Sequence, residues 1–372
     1  MAEELRETTI PSARENPDLV GHEQAEKTLL DGWNSGRLPH AWLITGPRGI
    51  GKATLAFRFA RFVLSRDENS GGLFREAPET LYVDPESPVF RRVVSEGHGD
   101  LMTLERRMDK DGKRLRGAIV VEEVRAAGRF LSLTASEGGW RVMVIDAADD
   151  LNVNAANALL KTLEEPPKRT LVLLVCHSPG RLPATVLSRC CRLALRPLPL
   201  ELTGELLSRH APDLTREEAM ALAYLGEGSI GFSLRLVETG GLEIFSEIMS
   251  LLGSLPRTDI SALHRLGDRL ARPDAENAYR TATGLLTWWL ARVIRTGAGI
   301  TTPEAHQAAA RAEIIRGEAD CARNLLALAG LDRWAEVWQK IIRLIAQADG
   351  LNLDRKQVIL NAFHAMETAA QP

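Results

Sequence analysis

The residues best suited to chemistry are Gly46-Pro47-Arg48-Gly49-Ile50-Gly51-Lys52, which follow a short apolar run and open a helical pattern. Glycines let backbone N–H groups close around an anion, and a helix start favours negative charge. Lys52 would reach the β- and γ-phosphates of a nucleotide. The motif asks next for Ser or Thr, whose hydroxyl holds Mg²⁺. Here the residue is Ala53, and Thr54 lies one position further round the helix. A second candidate is Asp146, which ends the apolar run 142–145 where a Mg²⁺-holding strand carries its acid. An ATPase of this type needs a carboxylate directly after that Asp, and Ala147 and Ala148 follow instead. Two separate losses, a metal ligand and a base, argue against turnover. Arg189, after Leu182-Pro183-Ala184-Thr185-Val186-Leu187-Ser188, is the third candidate. It reads equally as a rim ion pair or as an arginine finger for a neighbouring subunit's γ-phosphate.

The elements that must position these groups follow from apolar patterning. Runs at 41–45, 118–121, 142–145 and 171–176 are short, rich in Val, Ile and Leu, and alternate with helical patterns. That predicts buried parallel strands. After the first run, Leu55, Ala56, Phe59, Phe62 and Val63 share one helix face. A later helix carries Ala156, Leu159, Leu160 and Leu163 and is stopped by Pro166 and Pro167. The expected fold class is α/β: a P-loop-like domain with a parallel sheet over residues 1–196, of which 1–18 form a loose arm. Strands stop after Arg196-Pro197-Leu198-Pro199. Residues 197–242 read as a small helical lid broken by Gly226, Gly228 and Gly231, and 243–372 as a helical oligomerisation bundle.

Composition narrows the class. With 46 Lys and Arg against 49 Asp and Glu, the formal charge is −3, which argues against a protein that coats nucleic acid by itself. At 45% hydrophobic and 26% charged, the chain reads as a soluble globular protein. No apolar run approaches a membrane span, and the start lacks a secretory pattern. The four cysteines contain no C-x-x-C pair, and a cytoplasmic location fits.

Several strings then carry a family resemblance: Leu19-Val20-Gly21-His22, His40-Ala41-Trp42-Leu43, Val121-Glu122-Glu123-Val124-Arg125, Asn157-Ala158-Leu159-Leu160-Lys161-Thr162-Leu163-Glu164-Glu165-Pro166-Pro167, and Ser188-Arg189-Cys190. With them the sequence resembles the bacterial clamp-loader subunits of DNA polymerase III, in the AAA+ superfamily. The resemblance implies an AAA+ domain, a lid and a collar bundle. The family's motor subunits, gamma and tau, keep Thr after the P-loop Lys, Asp-Glu on the second strand and a sensor arginine after Gly-Ser. Here those positions are Ala53, Ala147 and Gly231. Three losses with Arg189 retained match the delta-prime, or stator, branch, which donates its arginine in trans. The resemblance thus implies gamma/tau and delta as partners, with the sliding clamp and primed DNA reached through the complex. Gly46, Gly49, Gly51, Lys52, Thr54 and Asp146 form a degenerate nucleotide site, open to ATP or ADP without turnover. Members with a zinc module carry four cysteines before the His-Pro-Asp-Leu segment. Residues 65–101 hold none, so no zinc is expected. The alternative is a self-sufficient ATPase in which Thr54 and Asp149 substitute for the missing groups.

Other features read as structure. Arg106–Arg116 around Asp111-Gly112 fits a solvated hairpin tip better than a DNA contact. Trp288, Trp289, Trp334 and Trp338 sit at helical spacing and read as core. Cys190-Cys191 reads as inert, and the eight histidines show no ligand spacing.

Overall fold

In the computed structural model, residues 11–66, 77–108, 116–136, 139–300, 317–351 and 353–371 are described. The chain divides into two compact units. One comprises 1–199 with 229–231, the other 200–228 with 232–372.

The first unit is built on five parallel strands: β1 (Ala41–Thr45), β2 (Leu101–Glu105), β3 (Arg141–Asp146), β4 (Thr170–Cys176) and β5 (Cys191–Ala194), in the order β2-β3-β4-β1-β5. Their near-continuous apolar runs are what a sheet covered on both faces requires. Alternate residues such as Ile44, Val144 and Leu173 pack beneath α1 (Glu23–Asn34) and α2 (Lys52–Leu64). Leu43, Ile145 and Val172 face α4 (Val121–Ser132), α5 (Val153–Glu164) and α6 (Ala184–Leu187). The short α3 (Pro88–Val94) precedes β2. The result is the α/β architecture that the AAA+ resemblance implies.

Two expectations for this unit are corrected. The run 118–121 is not a strand: Ile119 makes one bridge to Leu151, and Val121 begins α4. Glu123 decides this by accepting the Val120 N–H at 3.2 Å, which caps a helix rather than extending a strand. The strand on that side is β2 instead. Residues 11–18 are not loose either. Arg61, 2% exposed, donates to the carbonyls of Arg14 at 2.6 Å and Asn16 at 2.8 Å while lying over Phe90. Residues 1–10 lie outside the described residues, as does the tip of the basic stretch at 109–115. At its base Arg116 N–H donates to Arg107 O at 2.8 Å. Cys190 is buried, its thiol pushed up to about 11 by burial, and Cys191 lies exposed on an edge strand with its thiol also raised by burial.

The second unit is helical: α7 (Leu200–His210), α8 (Arg216–Leu225), α9 (Ile230–Glu238), α10 (Gly241–Gly253), α11 (Ile260–Leu270), α12 (Glu276–Gly297), α13 (Glu318–Leu328), α14 (Leu331–Leu351) and α15 (Arg355–Ala370), with residues 230–231 of α9 belonging to the first unit. Gly231 therefore lies within a helix instead of breaking one. α12 packs on α10 and α14, while α15 packs on α11 and α14. Trp289 and Trp334 are fully buried there, and Trp338 donates to Thr287 O at 3.0 Å. Among the described residues, no helix is long and apolar enough to cross a membrane.

Candidate nucleotide site

The loop 46–51 joins β1 to α2 because it can turn where other sequences cannot. Gly46 has φ +144°, and a Cβ there would lie 2.5 Å from the carbonyl oxygen of Leu195, so only glycine fits. Lys52 opens α2 and is 3% exposed; its ammonium donates back to Pro47 O. Burial pulls its pKa down to about 8, against the opposing charges of Asp146 and Asp149. Thr54 is buried in the body of α2.

Asp146 ends β3. Its carboxyl is pushed up to about 6, chiefly by burial and then by Glu105, with Lys52 and Arg48 pulling the other way. Such a carboxyl ionises less readily folded than unfolded, so the fold loses stability as pH climbs from 3.8 through about 6. Asp146→Asn is therefore expected to stabilise the chain at pH 8, by at most about 3 kcal/mol, and to change little at pH 3.5. Denaturant curves at the two pH values check this, and equal stability of the two proteins at pH 8 contradicts it.

Asp149, buried, accepts the N–H of His177 at 2.9 Å and a hydrogen bond from the Cys176 thiol. Burial opposes its ionisation, but these bonds and its own N–H outweigh it and hold its pKa below the ordinary value. Burial and the Asp149 charge push the Cys176 thiol up to about 12. Burial, then Lys52 and Arg48, bring His177 down to about 4, so its ring is neutral at physiological pH. The structure thus gathers Lys52, Asp146 and Asp149 into one electrostatic cluster. Cys176 and His177, which end β4, join it unforeseen: nothing in the local sequence distinguishes them from a strand end.

Arg189 stands apart from this cluster. It follows α6, is exposed, and places one guanidinium nitrogen 2.7 Å from Glu164 Oε1 and the other 3.0 Å from Thr185 O. The pair joins two of the strings that carry the family resemblance.

Residues distant in sequence complete the loop. His22 Nε2–H donates to Ile50 O at 2.5 Å, Ser229 Oγ–H to Arg48 O at 2.7 Å, and Gly231 N–H to Gly49 O at 2.8 Å. A Cβ on Gly231 would lie 3.0 Å from Gly49 Cα, so this residue is small for a steric reason.

The fold family implies Mg²⁺ with the nucleotide, and the residues present do not fit it. Ala53 offers no hydroxyl, which leaves Asp146 as the one motif residue able to meet a cation, and Asp149 is already engaged by the His177 N–H and the Cys176 thiol. Among the described residues, no three His, Cys, Asp or Glu side chains cluster as a metal site.

A parallel five-stranded sheet with a phosphate loop opening α2 defines an α/β P-loop domain. Residues 21–199 match the family described as DNA polymerase III, delta subunit. The chain is 34% identical to DNA polymerase III subunit delta' of Pseudomonas aeruginosa over 224 residues, 60% of this chain and 63% of that one. It is 30% identical over 251 residues to subunit tau of Escherichia coli, covering 64% of this chain and 36% of that protein. It is 32% identical over 174 residues to subunit delta' of Bacillus subtilis, 46% of each. Through this segment the chain is similar to delta' and tau subunits of DNA polymerase III. The matches span less than two thirds of the length of each of these relatives.

Proposed function

We propose that the chain is a delta-prime stator: a subunit of the DNA polymerase III clamp loader that does not hydrolyse ATP but presents Arg189 to ATP bound by its neighbour. The observation that carries this reading is the pair of alanines that follow Asp146 and Lys52. Ala147 cannot polarise water, and Ala53 cannot ligate Mg²⁺. Asp149, the substitute base of the alternative reading, is held by the His177 N–H and the Cys176 thiol, which speaks against that role. Arg189 is exposed on a short helix end, where a second subunit could reach it. In this reading gamma/tau and delta are the partners, joined through the helical unit. The loader opens the sliding clamp and places it on primed DNA, and the −3 charge is no obstacle because partners supply the basic surface. ATP turnover by the purified chain tests the reading, with assembly alongside gamma/tau and delta as the parallel measurement. Assembly without turnover is the expected result.

A further inference from the structure

Four consecutive carbonyls of the phosphate loop are each held by a hydrogen bond, one from the motif's own Lys52 and three from residues distant in sequence. Pro47 O accepts from Lys52, Arg48 O from the Ser229 hydroxyl, Gly49 O from the Gly231 N–H, and Ile50 O from His22. The peptide units joining these residues are trans, so each carbonyl and the N–H that follows it point in opposite directions. Fixing each carbonyl therefore also fixes the N–H that follows it, on Arg48, Gly49, Ile50 and Gly51, pointing away from that carbonyl's partner. None of those four N–H groups meets an acceptor among the described residues. A run of consecutive unclaimed amides can hold a polyanion, and the positive end of α2 lies just behind it.

The same site lacks the hydroxyl that would hold a divalent cation and keeps only Asp146 of the motif's metal ligands. We infer that this loop takes the phosphates of a nucleoside di- or triphosphate without any metal. His22 and Ser229 act as positioning residues, doing from the outside what a metal-anchored loop does from within. Phosphate charge is met by Lys52, Arg48 and the four amides. The inference rests on reading the loop as a site without turnover, and it explains why Lys52 and all three loop glycines coexist with Ala53 and Ala147. It also accounts for Gly231, because a side chain there would lift the Ser229–Gly231 turn off the loop and release two of the four carbonyls.

Calorimetric titration of the full chain with ADP, once in excess Mg²⁺ and once in EDTA, tests this. The expected dissociation constants agree within about threefold. A larger loss of affinity in EDTA, or no binding in either buffer, overturns the inference. Ser229→Ala is expected to weaken ADP binding by up to about tenfold, the worth of one hydrogen bond, with Ser229→Thr restoring it. Unchanged affinity in Ser229→Ala overturns the positioning role. Ala53→Thr, which returns the missing hydroxyl without disturbing the tethers, should make binding tighter in Mg²⁺ than in EDTA. If it leaves the two buffers equal, the account of why metal is dispensable fails. Turnover of ATP by the chain would refute the stator reading while leaving these binding data standing. Failure of metal-free binding would refute only the present inference.

Discussion

In a loader reassembled with its motor subunits, Arg189→Ala lowers ATP turnover at the site it faces by about 10³-fold, the worth of an arginine finger. The effect is large because a fixed guanidinium meets charge that develops on the γ-phosphate only in the transition state. The geometry suits this role. Glu164 and Thr185 O hold two of the guanidinium nitrogens, and the side chain is open to solvent on the surface of the unit. The competing reading, a rim ion pair, makes an opposite forecast. An exposed Arg–Glu pair contributes at most about 1 kcal/mol, so its loss would lower stability slightly and leave turnover alone. Measuring turnover and melting temperature on one Arg189→Ala preparation separates the two. A loader that hydrolyses ATP at the wild-type rate with this subunit removes the finger role.

The second large effect is on stability. Trp289→Ala is expected to destabilise the helical unit by about 3–5 kcal/mol, the usual range for deleting a fully buried Trp. Trp289 is 1% exposed on α12, and its indole N–H donates to Glu318 Oε1 at 3.2 Å. Glu318, buried on α13, also faces the Arg292 guanidinium at 3.3 Å and the Tyr224 hydroxyl at 3.4 Å. Arg292 in turn lies over the rings of Tyr224 and Trp288. Truncation therefore opens a cavity and strips one donor from a buried carboxylate. Trp289→Phe narrows the question, since it keeps an aromatic ring at the site but loses the N–H and part of the indole volume. It is expected to cost about 1–3 kcal/mol. Denaturant unfolding reads both, and an alanine variant within about 1 kcal/mol of the parent would show that the cluster does not hold these helices together.

What could be read from the sequence was what short stretches determine by themselves. The apolar run Ala41–Thr45, the glycine loop and the face Leu55, Phe59, Phe62 lie within about two dozen residues, and each constrains the next. β3 and β4 are legible for the same reason. β5 is not: it is an edge strand with Leu193 buried among exposed neighbours, a pattern with no strong period. The run 118–121 misleads because its apolar content fits a strand, while Glu123 turns the local balance to helix. Least legible are the contacts that complete the site. His22 meets Ile50 across 28 positions and Ser229 meets Arg48 across 181. No local propensity encodes such pairings; they exist only once the sheet has brought the segments together. The Asp149–His177 bond is of the same kind. Arg61, an ordinary basic residue in the sequence, proves to be the anchor of residues 14–16 because two carbonyls and the face of Phe90 satisfy a buried guanidinium.

The central claim is that this P-loop domain has kept its phosphate loop and lost the means to hydrolyse. Steady-state ATP turnover by the purified chain alone tests it most directly. The account predicts phosphate release no faster than that of a Lys52→Ala control. Saturable hydrolysis by the isolated chain that Lys52→Ala abolishes would contradict it.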